Sequence, residues 1–411
     1  MSNDTKVFGM SADAGRWIFV FLGMIINMCL GAVYAYSVFK KPLEELFKIG
    51  ATQGGLPYMI FLAMFSLFIF LSGKSLDKFG PKIIMIVGGI VVGIGWILTY
   101  FATNITMVVI TYGIIGGAGV GIVYGGPVSV ATRWFPDKKG LAVGLSLLGF
   151  GASAFVTAPV AKTLIQSYGP LPAFGIMGVA FLIVTVILSL PMKFPPAGYK
   201  PKGWTPPATA GGGGKSITTG QMIKTSSFYG LWLCYILGAT AGLMAIGISA
   251  AVGREVIGLD VGTAATLVMV FAIFNGIGRP IFGALTDKIT PKWSAVLSFI
   301  IIFVASAMML VAGKGSVVLY AVAFCCFWLC LGGWLAIGPA ATAGFFGLDG
   351  YAQKYGVVFS AYGLGAIIGG IISGSAKDVF GSYTIAFYPT AAMGILGIIL
   401  ALILLKPPKN I

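Results

Sequence analysis

The stretch Gly73-Lys74-Ser75-Leu76-Asp77-Lys78-Phe79-Gly80-Pro81-Lys82 returns 210 residues later as Gly283-Ala284-Leu285-Thr286-Asp287-Lys288-Ile289-Thr290-Pro291-Lys292. In each copy a glycine opens the segment, an Asp-Lys pair sits near its centre and Pro-Lys closes it. Both copies lie between apolar runs, in the loop joining the second and third helices of a six-helix unit. Gly126-Pro127 recurs as Gly338-Pro339, and Leu148-Gly149 as Leu364-Gly365, at nearly the same offset. Chance similarity among glycine-rich segments accounts for the dipeptides but hardly for the loop. The near-constant spacing predicts a duplicated unit.

Outward from the loop, the chain is built of apolar runs. Of its 411 residues, 58% are hydrophobic and only 9% charged, whereas a soluble domain carries about 25% charged residues. Runs of roughly 20 apolar residues match a bilayer core of ~30 Å, and only helices satisfy their own backbone across it with such runs. The expected spans are 16–39, 53–73, 83–101, 105–129, 140–162 and 170–192, then 227–251, 261–285, 293–312, 316–342, 355–376 and 383–405. The predicted fold is therefore an all-α membrane protein, twelve transmembrane helices in two pseudo-symmetric six-helix bundles, residues 1–192 and 227–411. Residues 193–226, with Pro195, Pro196, Pro201, Pro206, Pro207 and the run 211–214 of glycines, read as a flexible cytoplasmic linker. No strand precedes those glycines, which argues against a phosphate loop.

Smaller signals agree. Gly113, Gly117, Gly121 and Gly125 share one face of the fourth helix, as close helix packing requires. The five cysteines lack metal-ligand spacing and read as small core residues. No cleavable signal precedes the first span, which is expected to remain as an anchor. Tyr100, Tyr320 and Tyr388, near span ends, are expected at the membrane interface, whereas Tyr34, Tyr124 and Tyr362 lie deeper.

A net charge of +15 would suggest nucleic acid for a soluble protein; here its distribution matters more. With both termini cytoplasmic, 18 lysines and arginines fall on the cytoplasmic side and 7 opposite, leaving one of the 26 unplaced, Arg279. This bias predicts a multi-pass protein of the inner (plasma) membrane in that orientation. Neither nucleic acid nor any cofactor or metal is expected. No acidic residue falls well inside a predicted span, and Arg279 is the one basic residue that does. A charge at the centre of a membrane helix costs about 2.5–3.5 kcal/mol or more, and no internal carboxylate offsets it. An anionic ligand would, and a guanidinium grips a carboxylate through two parallel hydrogen bonds. Snorkelling towards the interface is the bland alternative. Asn275, one turn earlier, and Gly276 and Gly278 favour a polar stripe facing a cavity instead. Asp77, Arg133 and Asp287 are expected to make inter-helix charge contacts at a cytoplasmic gate.

The loop at 73–82 resembles the G-x-L-x-D-R-x-G-R-R signature of the major facilitator superfamily, with Lys78, Pro81 and Lys82 departing from it. Asn275-Gly276-Ile277-Gly278-Arg279-Pro280 and Arg133-Trp134-Phe135-Pro136-Asp137-Lys138-Lys139-Gly140-Leu141-Ala142-Val143-Gly144 resemble the monocarboxylate and oxalate/formate transporter branch. The resemblance implies two halves rocking about a central cavity, with Arg279 holding the substrate carboxylate. It also implies that Tyr34, Tyr124, Leu145, Phe359 and Tyr362 line that cavity. Oxalate carriers place a second cation where Tyr362 stands, so a dianion is disfavoured. Animal monocarboxylate carriers place an acidic residue at Asn275 and a first-helix lysine at Val38, so their proton scheme does not transfer. The chain also has no histidine to act as a proton switch.

The expected activity is secondary transport of a small monocarboxylate of the lactate or pyruvate type, coupled to a proton, by a monomer. Electroneutral anion exchange of the oxalate/formate type is the alternative. An intramembrane enzyme would need positioned acids, bases or a metal, which the predicted spans lack. A channel or sensor is the other rival class.

Overall fold

The structure, a computed structural model, describes residues 6–196, 198–201, 217–347 and 350–408, apart from the side chains at 74, 77, 139, 140 and 352. Most of the predicted linker, including the glycines at 211–214, lies outside the described residues. Eleven described helices are long and apolar enough to cross a membrane: α1 Ala12–Phe47, α2 Ala51–Gly73, α3 Lys78–Thr99, α4 Ile105–Trp134, α5 Leu141–Tyr168, α6 Pro170–Ser189, α7 Ser226–Glu255, α8 Val261–Val311, α9 Val317–Phe346, α10 Gln353–Phe380 and α11 Tyr383–Leu404. The 51 residues of α8 are about twice what one crossing needs. Its backbone breaks at Thr290 (φ 76°, ψ 157°), so α8 supplies two crossings and the described total is twelve. The expected all-α membrane fold stands.

The repeated loop explains that break. Gly80, 210 residues before Thr290, has φ 77° and ψ 166°, the same bend in the other copy. Glycine enters this region freely, whereas a β-branched residue there is strained by about 1–3 kcal/mol.

Polar side chains set helix starts. Asn104 accepts from the Met107 N–H at the start of α4, Thr225 from Phe228 at α7, and Asp260 from Gly262 and Thr263 at α8. Gly169 (φ 90°) ends α5 before Pro170 opens α6. A short hairpin, β1 (Lys6–Val7) paired with β2 (Met10–Ser11), precedes α1. With twelve crossings, the start of α1, the end of α11, the end of α6 and the start of α7 lie at one end of the bundle, called here the terminal face.

Close packing depends on absent side chains. A Cβ on Gly113, Gly117 or Gly121 would run into the carbonyls of Pro57, Phe61 and Phe65, four residues apart on α2. The glycine face on α4 is therefore a contact between helices, as expected. Two of the helices that approach the centre are broken: α1 by a 3-10 turn at Gly31–Ala35, α5 at Gly151–Ala152. The breaks meet, because Gly31 has no room for a Cβ against the Phe150 carbonyl and Ser153.

Two expectations need correcting. Helix α1 runs to Phe47, not 39, so Lys40 and Glu44 ride on its last turns, and both are buried (2% and 7% exposed). Arg279 is thus not the lone charge inside a helix. Tyr320 is not an interfacial residue: it is fully buried, and its hydroxyl donates to the Ser249 carbonyl at 2.7 Å. Tyr100 and Tyr388 are exposed, as the interface requires.

Candidate functional site

Arg279 sits on α8 eight residues before Asp287, about 12 Å deep from the terminal end at 1.5 Å per residue. The residue is 5% exposed. One nitrogen, Nη1, donates to the Leu147 carbonyl on α5 at 3.0 Å. The other two, Nε and Nη2, are buried without a hydrogen-bond partner. These two nitrogens form one edge of the guanidinium fork. A buried unpaired donor costs about 1–3 kcal/mol, more when charged, so the edge is poised for an acceptor.

Asn275 lies one turn away and is fully buried. Its Nδ2 donates to the Trp328 carbonyl on α9 at 3.1 Å, which fixes the amide orientation. Its Oδ1 is left without a partner. A Cβ on Gly151 would stand 3.0 Å from that Oδ1 and 3.1 Å from Arg279 Nε. Glycine at 151 therefore leaves both polar atoms open at the crossing of α5 and α8.

Beside Arg279 a cavity of about 510 Å³ runs towards the terminal face. Its walls include Leu141, Leu145 and Leu148 of α5, Pro280 and Asp287 of α8, and Leu335 of α9. The lining is mostly apolar, with Arg279 as its cation and Asp287 as its anion. Of the expected cavity residues, Arg279 and Leu145 line this space and Asn275 adjoins Arg279.

The other four form an aromatic ceiling over the site. Tyr34 and Tyr362 share a hydroxyl hydrogen bond of 2.8 Å across the two halves of the chain. The rings of Phe359 and Tyr362 stack at 4.9 Å, and Phe65 touches Tyr124, Phe359 and Tyr362. Phe150 joins ceiling to site: its ring lies 5.2 Å from Tyr34, 5.3 Å from Tyr124 and 5.8 Å below the Arg279 guanidinium carbon. Sequence reading did not single out Phe150 or Gly151. Nothing in their residue types marks them; only the α5–α8 crossing does.

Beyond the ceiling the molecule is sealed. Ser66 donates to the Phe359 carbonyl at 2.8 Å, and Tyr58 to the Leu243 carbonyl at 3.2 Å. At the far end Glu255 of α7 pairs with Lys41 at 3.5 Å and with Lys377 at 2.5 Å. Buried Lys40 donates to the Tyr383 hydroxyl at 3.2 Å. Asp378 of α10 accepts from the N–H groups of Ala51 and Thr52 at 2.7 and 2.8 Å, capping α2 from the other half. This seal was missed because its members read as loop charges, although Lys40 and Glu44 stand at helical i, i+4 spacing.

Asp287 lies on the cavity wall, and Arg133 stacks on the Phe194 ring at 3.8 Å. The side chain of Asp77 is outside the described residues. A charge contact the sequence did not suggest lies nearby, where Arg16 donates to both oxygens of Asp137 at 2.6 and 2.8 Å. Burial alone would raise the Asp137 pKa, but the Arg16 hydrogen bonds outweigh it and hold the carboxyl below its ordinary value.

Comparison with known proteins agrees with this architecture. The chain is 28% identical over 395 residues to an oxalate:formate antiporter of Oxalobacter formigenes, covering 94% of this chain and 90% of that one. It is 27% identical over 337 residues to monocarboxylate transporter 13 of Rattus norvegicus, covering 79% and 74%. A bacterial homolog of the human lysosomal transporter Spinster, in an inward-facing and unoccupied conformation, shares the fold with a TM-score of 0.69 at 17% identity, over 94% and 95% of the two chains. The family model of the Major Facilitator Superfamily matches residues 17–332 and 231–411. Twelve crossings, a duplicated loop and a matching family model together place this chain in the Major Facilitator Superfamily, a family of membrane transporters rather than enzymes.

Proposed function

We propose that this protein is a secondary transporter of small monocarboxylates, working as a monomer by rocking residues 1–192 against 227–411. One observation carries the reading: the Nε and Nη2 edge of Arg279 is buried without a partner beside a mostly apolar cavity, whose acidic residue Asp287 lies about two turns away along α8. A carboxylate fits that edge through two parallel charge-assisted hydrogen bonds. One cation suits one carboxylate, and the leucine walls suit a short apolar tail.

Asn275 adds a preference within this class. Its Nδ2 is committed to Trp328, so the polar atom it leaves open, one turn from Arg279, is an acceptor, Oδ1. A 2-hydroxy acid such as lactate donates there; a 2-keto acid such as pyruvate offers only another acceptor. One such hydrogen bond is worth about 0.5–1.5 kcal/mol, or roughly twofold to tenfold in affinity. Tyr34, Tyr124, Phe359 and Tyr362 close the far side of the seat.

The orientation follows the positive-inside bias, with both termini in the cytoplasm and the protein in the inner (plasma) membrane. The cavity then opens inward, and the sealed end faces out. Proton-coupled symport is the first reading of the energetics; anion exchange is the second, supported by the relative described as an oxalate:formate antiporter.

Thermal-shift binding with lactate, propionate and pyruvate tests the seat. Lactate is expected to bind tightest, and Arg279→Ala to abolish all three shifts while Arg279→Lys retains part. An unchanged lactate shift in Arg279→Ala overturns the reading. Lactate uptake into proteoliposomes with and without an inward proton gradient tests coupling, and uptake indifferent to that gradient favours exchange.

A further inference from the structure

We propose that the terminal-face end of the seam between α3 and α6 is a binding site for an anionic phospholipid, its phosphodiester held between Lys82 and Lys193. A cavity of about 320 Å³ lies there, lined by Val7 and Phe8 of the hairpin, Lys82 of α3, and Leu190 to Lys193 just after α6. Among the described residues no acidic side chain lines it. Two exposed lysines therefore border one space that no described carboxylate shares.

The site is built rather than incidental. Met192 and Val7 are buried, and the Trp134 indole N–H holds the Lys193 carbonyl at 2.8 Å. Gly15 leaves room for the Val7 carbonyl against α1, which fixes the hairpin. At the hairpin tip, Phe8 and Gly9 both have positive φ, 52° and 77°. A tight hairpin demands this at both central positions, where Asn-Gly is the usual choice. A bulky phenylalanine is an outlier in that region. Its ring nevertheless packs on Phe19 at 5.1 Å and stays 44% exposed, forming one wall of the cavity. Backbone strain that places an apolar ring beside two lysines points to a ligand with both an apolar and an anionic part.

The position selects a lipid over a soluble anion. The cavity lies where the apolar belt of α3 and α6 ends. Below it Ile83 and Val87 of α3 and Ile183 and Ile187 of α6 are exposed, a surface that faces acyl chains in a bilayer. The helices meet tightly between those rows, since a Cβ on Gly89 would touch Thr185 at 2.8 Å. The result is a shallow apolar track leading up to two cations, at the depth of the headgroups. Basic residues near an anionic membrane surface are drawn to it electrostatically.

The second half of the chain supplies an internal control. Lys292 occupies the position of Lys82 in the repeated loop, but it lies 5.5 Å from the Trp293 ring and lines no such cavity among those described.

The test uses delipidated full-length protein, with dioleoyl phosphatidylglycerol, dioleoyl phosphatidylcholine and inorganic phosphate as probes. Phosphatidylglycerol is expected to raise the thermal unfolding midpoint, and the other two to leave it unmoved. The double variant Lys82→Gln/Lys193→Gln should lose at least half of that rise, and Lys292→Gln should keep it. An undiminished rise in the double variant overturns the proposal, as does an equal rise with phosphatidylcholine or with inorganic phosphate. Native mass spectrometry of each single variant decides independently of stability: one phosphatidylglycerol fewer than wild type supports the site, and the same number refutes it.

Discussion

The two ends of the molecule are held differently. At the sealed end, charged side chains bridge the halves: Glu255 with Lys41, Lys40 with the Tyr383 hydroxyl, Asp378 with the start of α2. At the terminal end the halves are parted by a cavity walled by leucines. A strong ion pair there, between Arg16 and Asp137, lies within one half. The difference teaches where conformational energy is stored. A contact across the halves biases which end is open, whereas a contact within a half contributes to stability alone.

The largest effect should come from the point where the two ends meet. Gly151→Ala places a methyl about where the carboxylate edge of Arg279 and Asn275 Oδ1 must be reached. Lactate affinity should fall by on the order of a hundredfold, equivalent to about 2.7 kcal/mol, and because the methyl also meets Gly276 Cα at 2.9 Å, a thermal melt of the variant accompanies the titration. Isothermal titration checks this; wild-type affinity in that variant would dissociate Gly151 from the seat.

Asp137→Asn breaks a within-half pair and should destabilise by about 1.5–3 kcal/mol without changing which end is open. The Asp137 carboxyl is depressed below its ordinary 3.8. Its contribution is therefore complete above that ordinary pKa and is lost as pH falls through the lower folded value. Wild type should shed this stability below about pH 4, and the asparagine variant should lack that component. Thermal melts from pH 3 to 7 read both effects.

Asp378→Ala removes a helix cap supplied across the halves. Loss of a cap costs about 0.5–2 kcal/mol, which here shifts the equilibrium towards opening of the sealed end by roughly twofold to thirtyfold. The alkylation rate of a cysteine placed at Ser373, buried in that seam, should rise accordingly. No change in rate would break the distinction drawn between the two classes of contact.

Thr290→Gly should have the smallest effect, a gain of about 1 kcal/mol from relieved strain. Gly80→Thr, its mirror substitution, should cost a similar amount. Thermal midpoints of the pair compare the two loops directly.

Much of this was legible in the chain. The repeated loop revealed the duplication, and its Pro-Lys ending marked the bends at Gly80 and Thr290. Arg279 stood out because an arginine amid apolar residues contradicts its solvent. Lys40 and Glu44 did not, because charges near a helix end look like loop residues until a second half buries them. Tyr320 misled for a related reason: an aromatic near a span end reads the same whether lipid or Ser249 waits beside it. Gly151 and Phe150 were invisible because their roles arise where α5 crosses α8, and no local pattern encodes a crossing. The membrane-facing pattern is written along one helix at a time; the seams between the halves are not.

The hydrogen bond from Arg279 to the Leu147 carbonyl spans those halves too. On the transport reading it acts as a brake: with no cargo aboard, the guanidinium leans on its neighbour and the vacant carrier idles. Net uptake requires an empty return, so this brake slows symport and leaves exchange of one loaded anion for another untouched.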